Sequence, residues 1–124
     1  MAKVKECFGG ALGLPLSAAV RAGDFVFASG QMPLDDKGEV IPGNIETQTR
    51  ATLDRLRKVL SSANADLSDV VKITVWLSDP RDFNGFNKVY REYFTNDPPA
   101  RSTVRSELVI DTRLEIEAVA YKPL

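Results

Sequence analysis

Apolar and polar residues change period several times along this chain, and each change marks an element. Leu53, Leu56, Leu60 and Ala63 recur at spacings of three and four, while Arg50, Asp54, Arg57 and Lys58 mark a wet side. This predicts an α-helix over Ile45–Ala63, with Asn44 as its N-cap. A second helical stripe holds Phe83, Phe86, Tyr90, Tyr93 and Phe94. It starts after Asp79-Pro80, a capping residue followed by a proline suited to a first turn. Core packing accounts for these aromatics.

Elsewhere the period is two. "DVVKITVWL" is rich in β-branched residues, with Val71, Ile73, Val75 and Leu77 on one face. "SAAVRAGDFVFASG" reads as a hairpin turning at Gly23-Asp24. Its second strand, Phe25 to Ala28, is apolar on both faces. "RSTVRSELV" and "RLEIEAVAY" read as two strands around a tight turn at Ile110–Thr112. In the last, Leu114, Ile116, Ala118 and Ala120 face one way, and Arg113, Glu115, Glu117, Val119 and Tyr121 the other.

The predicted order is β-β-α-β-α-β-β, an α+β fold with a mixed sheet and both helices on one face. Strands that are apolar on both sides leave the other face in need of cover, so a homo-oligomer is expected. Length fits one domain over residues 1–124.

Composition mainly excludes. Sixteen Lys and Arg against seventeen Asp and Glu leave a net charge of −1, which argues against a nucleic-acid surface. With no histidine, Ser-His-Asp and Cys-His nucleophile systems are ruled out. Cys7 alone cannot form an intrachain disulfide, and with no imidazole a metal site would have to rely on oxygen ligands. No Gly-rich phosphate loop is present. No metal and no cofactor are expected. Apolar runs are too short to span a bilayer, and glycines and Pro15 interrupt the N-terminal one, so no membrane contact and a cytoplasmic setting are expected.

Two groups carry candidate chemistry. Arg101 follows "DPPA", where Pro98 and Pro99 stiffen the approach. It is either a solvated strand-end charge or a fixed fork for a carboxylate. Glu115 and Glu117 are either a polar stripe paired with nearby arginines or a source of one desolvated proton shuttle. A tight turn would set Val109 opposite Arg113, Glu115 opposite Glu107 and Arg101 near Tyr121. Arg101 and Glu115 would then stand roughly 20 Å apart, too far to share a small substrate within one chain.

Several segments, in this order and spacing, resemble one family: "AVRAGDFVFASGQMP", "ETQTRATLDRLRKVL", "LSDVVKITVWLSDPRDFNGFNKVYREYF", "PPARSTV" and "LEIEAVA". Together they cover nearly the whole chain and resemble the RidA/YjgF family of reactive-intermediate deaminases. The resemblance implies a chorismate-mutase-like fold, a homotrimer around a central β-barrel, and sites in clefts between subunits. It implies cofactor-free hydrolysis of carboxylate-bearing enamine or imine acids, of the 2-aminoacrylate and 2-iminopropanoate type, to 2-oxo acids and ammonia. By motif position, Arg101 is similar to the family's carboxylate-binding arginine and Glu115 to its water-activating acid. Ser29, Gly30, Asn87 and Thr103 match pocket-lining positions. The family's usual "GPYSQAV" reads "LPLSAAV" here, so Leu16 stands in place of a pocket tyrosine. Thr103 stands where many members carry cysteine, and the last inter-strand loop is one residue short. A more apolar wall at Leu16 implies a larger substrate side chain. A ligand-binding regulatory trimer and an RNA-cleaving translation inhibitor are the alternative functions.

Overall fold

The computed structural model describes residues 5–124 other than residue 12. The described residues form six strands and two α-helices. In chain order these are β1 (Glu6–Ala11), β2 (Leu14–Ala22), β3 (Phe25–Gln31), α1 (Ile45–Ser62), β4 (Val70–Leu77), α2 (Phe83–Tyr93), β5 (Ala100–Arg105) and β6 (Leu114–Tyr121). Both predicted helices form, and Asn44 caps α1 by accepting from the Thr47 N–H at 3.0 Å. Asp79 and Pro80 start a short 3₁₀ turn, Pro80–Asp82, that feeds α2. At the β2–β3 hairpin Gly23 takes φ 59°, the positive value a two-residue turn requires.

β1 was absent from the predicted order. Gly9 and Gly10 give it poor strand character, and a bulge interrupts its ladder between Gly10 and Ala11. It forms by antiparallel pairing with β2, a partner its local sequence does not advertise.

The sheet order is β1-β2-β3-β6-β4-β5. This corrects the expected last hairpin. β5 does not pair with β6. It lies parallel to β4, with Arg101 beside Ile73, while β6 runs antiparallel between β3 and β4. A parallel neighbour reached through α2 is the usual βαβ outcome. The residues after Arg105 then carry the chain over β4, a span of roughly 10 Å. That crossing is pinned from beneath. The buried Gln48 side chain on α1 accepts from the Arg113 N–H at 2.8 Å and donates to the Ile41 carbonyl at 2.9 Å.

One hydrophobic core lies between the sheet and the helices. Val26, Ala28, Ile73, Val75, Leu77, Leu114, Ile116, Ala118 and Ala120 face it from the strands; Leu53, Leu56, Leu60 and Phe86 face it from the helices. The alternation predicted for β6 holds. Each fully buried Leu, Ile or Phe contributes about 1.5–3 kcal/mol by leaving water. Among the described residues nothing covers the opposite sheet face. There Phe25, Phe27, Val104 and Tyr121 are 42–47% exposed.

Candidate active site

Arg101 lies on the helix side of edge strand β5, because its partner Ile73 is a buried core residue. Its guanidinium carbon stands 4.7 Å from the Tyr90 ring centre, 5.3 Å from Phe86 and 5.9 Å from Phe83. Such cation–π contacts contribute about 0.5–2 kcal/mol each, more where water is excluded. Among the described residues no carboxylate lies within 4.0 Å of this guanidinium, whereas Arg50, Arg57, Arg81 and Arg113 each have one. Arg101 is only half-buried, so a soluble acid can reach it. Thr103 is two residues on, beside Val75, on the same face. Asn87, half-buried, shares the α2 stripe of Phe83 and Tyr90 at helical spacing. Arg101 and Thr103 thus share one strand face, and Asn87 lies on the α2 stripe whose rings back Arg101.

The second group is on the open face. β3 bulges between Ala28 and Gln31, where Ser29 and Gly30 occupy the place of one residue opposite β6. Ser29 Oγ donates to the Ser17 carbonyl at 2.6 Å, tying the bulge to β2. Glu115 reaches back over Gly30: a methyl group there would fall 2.0 Å from Glu115 Oε2. Only glycine leaves that space. On its other flank Glu115 pairs with Trp76 of β4. This cradle half-buries the carboxylate, and burial raises its pKa above the ordinary value; the charge of Glu117, two residues along the same face, adds to the rise. Leu16 is exposed on β2 with open-face parity, one residue from the Ser17 carbonyl that anchors Ser29.

The predicted residues therefore fall into two groups of one chain. Glu115 does not face Glu107, and Arg101 is not near Tyr121, which pairs with Phe25 instead. The expected 20 Å separation is also corrected. Three residues along the strands and two strands across place Arg101 and Glu115 roughly 14 Å apart. They point to opposite faces, so one small molecule cannot touch both within one chain. Two surface grooves, of about 440 and 220 Å³, involve neither residue.

Phe83 and Tyr90 beside Arg101, and Trp76 beside Glu115, were not among the expected site residues. The aromatic stripe signalled the first two, but its relation to Arg101 depends on the β4–β5 pairing; no pattern in the sequence pointed to Trp76. The core-packing account holds for Phe86, Tyr90 and Phe94, which are buried; Phe83 is exposed. Among the described residues no group of three or more Cys, Asp or Glu is arranged for a metal, and no helix is long and apolar enough to cross a membrane.

A six-stranded mixed sheet with two helices on one face defines an α+β protein of chorismate-mutase-like fold. Comparison with known proteins places it further. Residues 11–122 match the family model described as endoribonuclease L-PSP. A RutC family protein of Pyrococcus horikoshii is 47% identical over 110 residues, covering 87% of each chain. The human 2-iminobutanoate/2-iminopropanoate deaminase is 37% identical over 115 residues, 91% of this chain and 83% of that one. Escherichia coli TdcF, solved with bound serine, superposes with a TM-score of 0.85 at 34% identity, over 98% of this chain and 99% of that one. The chain belongs to the RidA/YjgF family.

Proposed function

We propose that this protein hydrolyses imine and enamine acids to 2-oxo acids and ammonia in a cleft built by two copies of the chain. The observation that carries the reading is the half-buried Arg101 fork, backed by three aromatic rings and, among the described residues, with no carboxylate within 4.0 Å. The fork grips the substrate carboxylate through two parallel hydrogen bonds. Glu115 of a neighbouring copy takes a proton from water as the oxygen attacks the C=N carbon. Glu115 returns that proton to the nitrogen, giving a carbinolamine; it then takes the hydroxyl proton and passes it to the amine as the C–N bond breaks, so ammonia leaves and the carbonyl remains. Asn87 and Thr103 line the acid end of the cleft; Ser29, Gly30 and Leu16 line the other.

Opposite orientation of Arg101 and Glu115 supports a shared cleft. So do the uncovered aromatics of the open face, which a homotrimer closed as an inward-facing barrel would bury. A serine-bound relative and a relative named as an imine deaminase are consistent with an amino-acid-sized acid. The exposed free thiol of Cys7 suits a reducing, cytoplasmic setting. At Leu16 an aliphatic wall without a hydroxyl favours imines with larger apolar side chains.

An amino-acid oxidase generating imines in situ tests this. Addition of the protein should shorten imine lifetime, most for leucine- or methionine-derived imines. Preference for the alanine-derived imine would reject the Leu16 assignment, and unchanged lifetimes for every imine would reject the deaminase reading. Saturable carboxylate binding without turnover would favour a regulatory trimer. Binding to RNA that falls steeply with salt would favour a nucleic-acid role.

A further inference from the structure

Tyr90 presents a feature the proposed reaction leaves unused. Tyr90 is 7% exposed, and among the described residues its buried hydroxyl has no partner in hydrogen-bond geometry. Buried phenols ordinarily find a partner. The ring packs against two others, Phe94 at 4.5 Å and Phe86 at 5.4 Å between ring centres. Of the three rings around Arg101 it is the nearest, at 4.7 Å. It is also the only one of the three with a polar atom.

A guanidinium has five N–H donors, and a bidentate grip on a carboxylate uses two. Rings hold the cation by its face but do not set its rotation in plane. A fixed oxygen beside it does, because one N–H turned onto that oxygen leaves the opposite edge for the ligand. We propose that Tyr90 is a positioning residue: its buried hydroxyl oxygen is the acceptor that orients the Arg101 fork toward an incoming carboxylate. This rests on the reading of Arg101 as the acid anchor. Burial pushes the Tyr90 phenol up, and Arg101 opposes that rise, first through its charge and then through N–H groups close to the hydroxyl, although none meets the oxygen in full hydrogen-bond geometry here.

Tyr90→Phe keeps the ring and removes only the oxygen. In ligand-free protein, ¹⁵N NMR of the Arg101 guanidinium should show restricted motion, and Tyr90→Phe should release it with little change in Tm. The same variant should raise KM for in situ imines, and Kd for pyruvate as probe, about tenfold, with kcat within twofold. A guanidinium already mobile in the wild type, or equally restrained in Tyr90→Phe, overturns the proposal whatever the enzyme does. Equal KM and Kd values in the two proteins overturn it too. Release of Arg101 in a protein whose wild type neither binds pyruvate nor consumes imines would uphold the positioning role and defeat the deaminase reading instead.

Discussion

The two faces of the sheet are made by the same strands and end differently. On the helix side Val26 and Ala28 of β3, Ile73, Val75 and Leu77 of β4 and every second residue of β6 are buried against Leu, Phe and Ile. Val71, predicted on that face of β4, is exposed where the ladder shifts register, and Val70 is buried instead. On the open side the intervening residues include half-exposed phenylalanines and a carboxylate held over a glycine. The first face is complete within one chain and sets stability. The second is left open among the described residues, and the acidic half of the candidate site lies on it. Arg101 belongs to the helix side by direction but stands at its open edge, where the fold ends and a neighbour can begin.

Substitutions on either face can break that contrast. Ile116→Ala on the helix side should cost about 2–5 kcal/mol, read from urea unfolding, since it opens a cavity at a fully buried position. A cost under about 1 kcal/mol would mean that the core is not where the packing puts it. Phe27→Asp on the open side should keep native circular dichroism but reduce the mass by light scattering to that of one chain, 13.6 kDa. Wild type and variant sharing one mass would leave the open face as ordinary surface.

Within the site, Arg101→Ala should lower kcat/KM for imine acids about a hundredfold, roughly 3 kcal/mol of lost charge-assisted binding. Near-normal turnover would remove Arg101 from the chemistry. Gly30→Ala should lower kcat about tenfold with little effect on folding, because the group it displaces is the flexible end of Glu115. Unaltered kcat would show that the carboxylate works from another position.

Glu117→Gln should have the smallest effect. Glu115 is shifted upward first by burial and second by the negative charge of Glu117. Removing that charge leaves the burial, so the Glu115 pKa falls part of the way back. The base form then survives to lower pH, and the acid limb of the rate profile moves down. A limb that stays in place or moves up would separate Glu115 from the titration that controls the rate.

Much of this was legible in the residues. Helical spacing marked α1 and α2, and alternation sorted Leu114, Ile116, Ala118 and Ala120 from Glu115 and Glu117. Asn44 and Gly23-Asp24 announced a cap and a turn. The motif "PPARSTV" singled out Arg101. Harder to see were β1, whose glycines hide a strand, and the aromatic setting of Arg101. The hairpin reading of the last two strands failed because alternation says which way a side chain points and nothing about which strand lies alongside.

By itself, then, the order of residues determined most of the elements, their buried sides, and the presence of an arginine behind two prolines and of two clustered acids. Only the tertiary structure decided that β6 enters between β3 and β4, that Arg101 rests on α2, and that Glu115 sits on the bulge at Gly30 on the opposite face. Periodicity is a property of neighbouring residues and can be read locally. Strand pairing is a long-range choice settled by loop reach, crossover handedness and the burial of a whole face together.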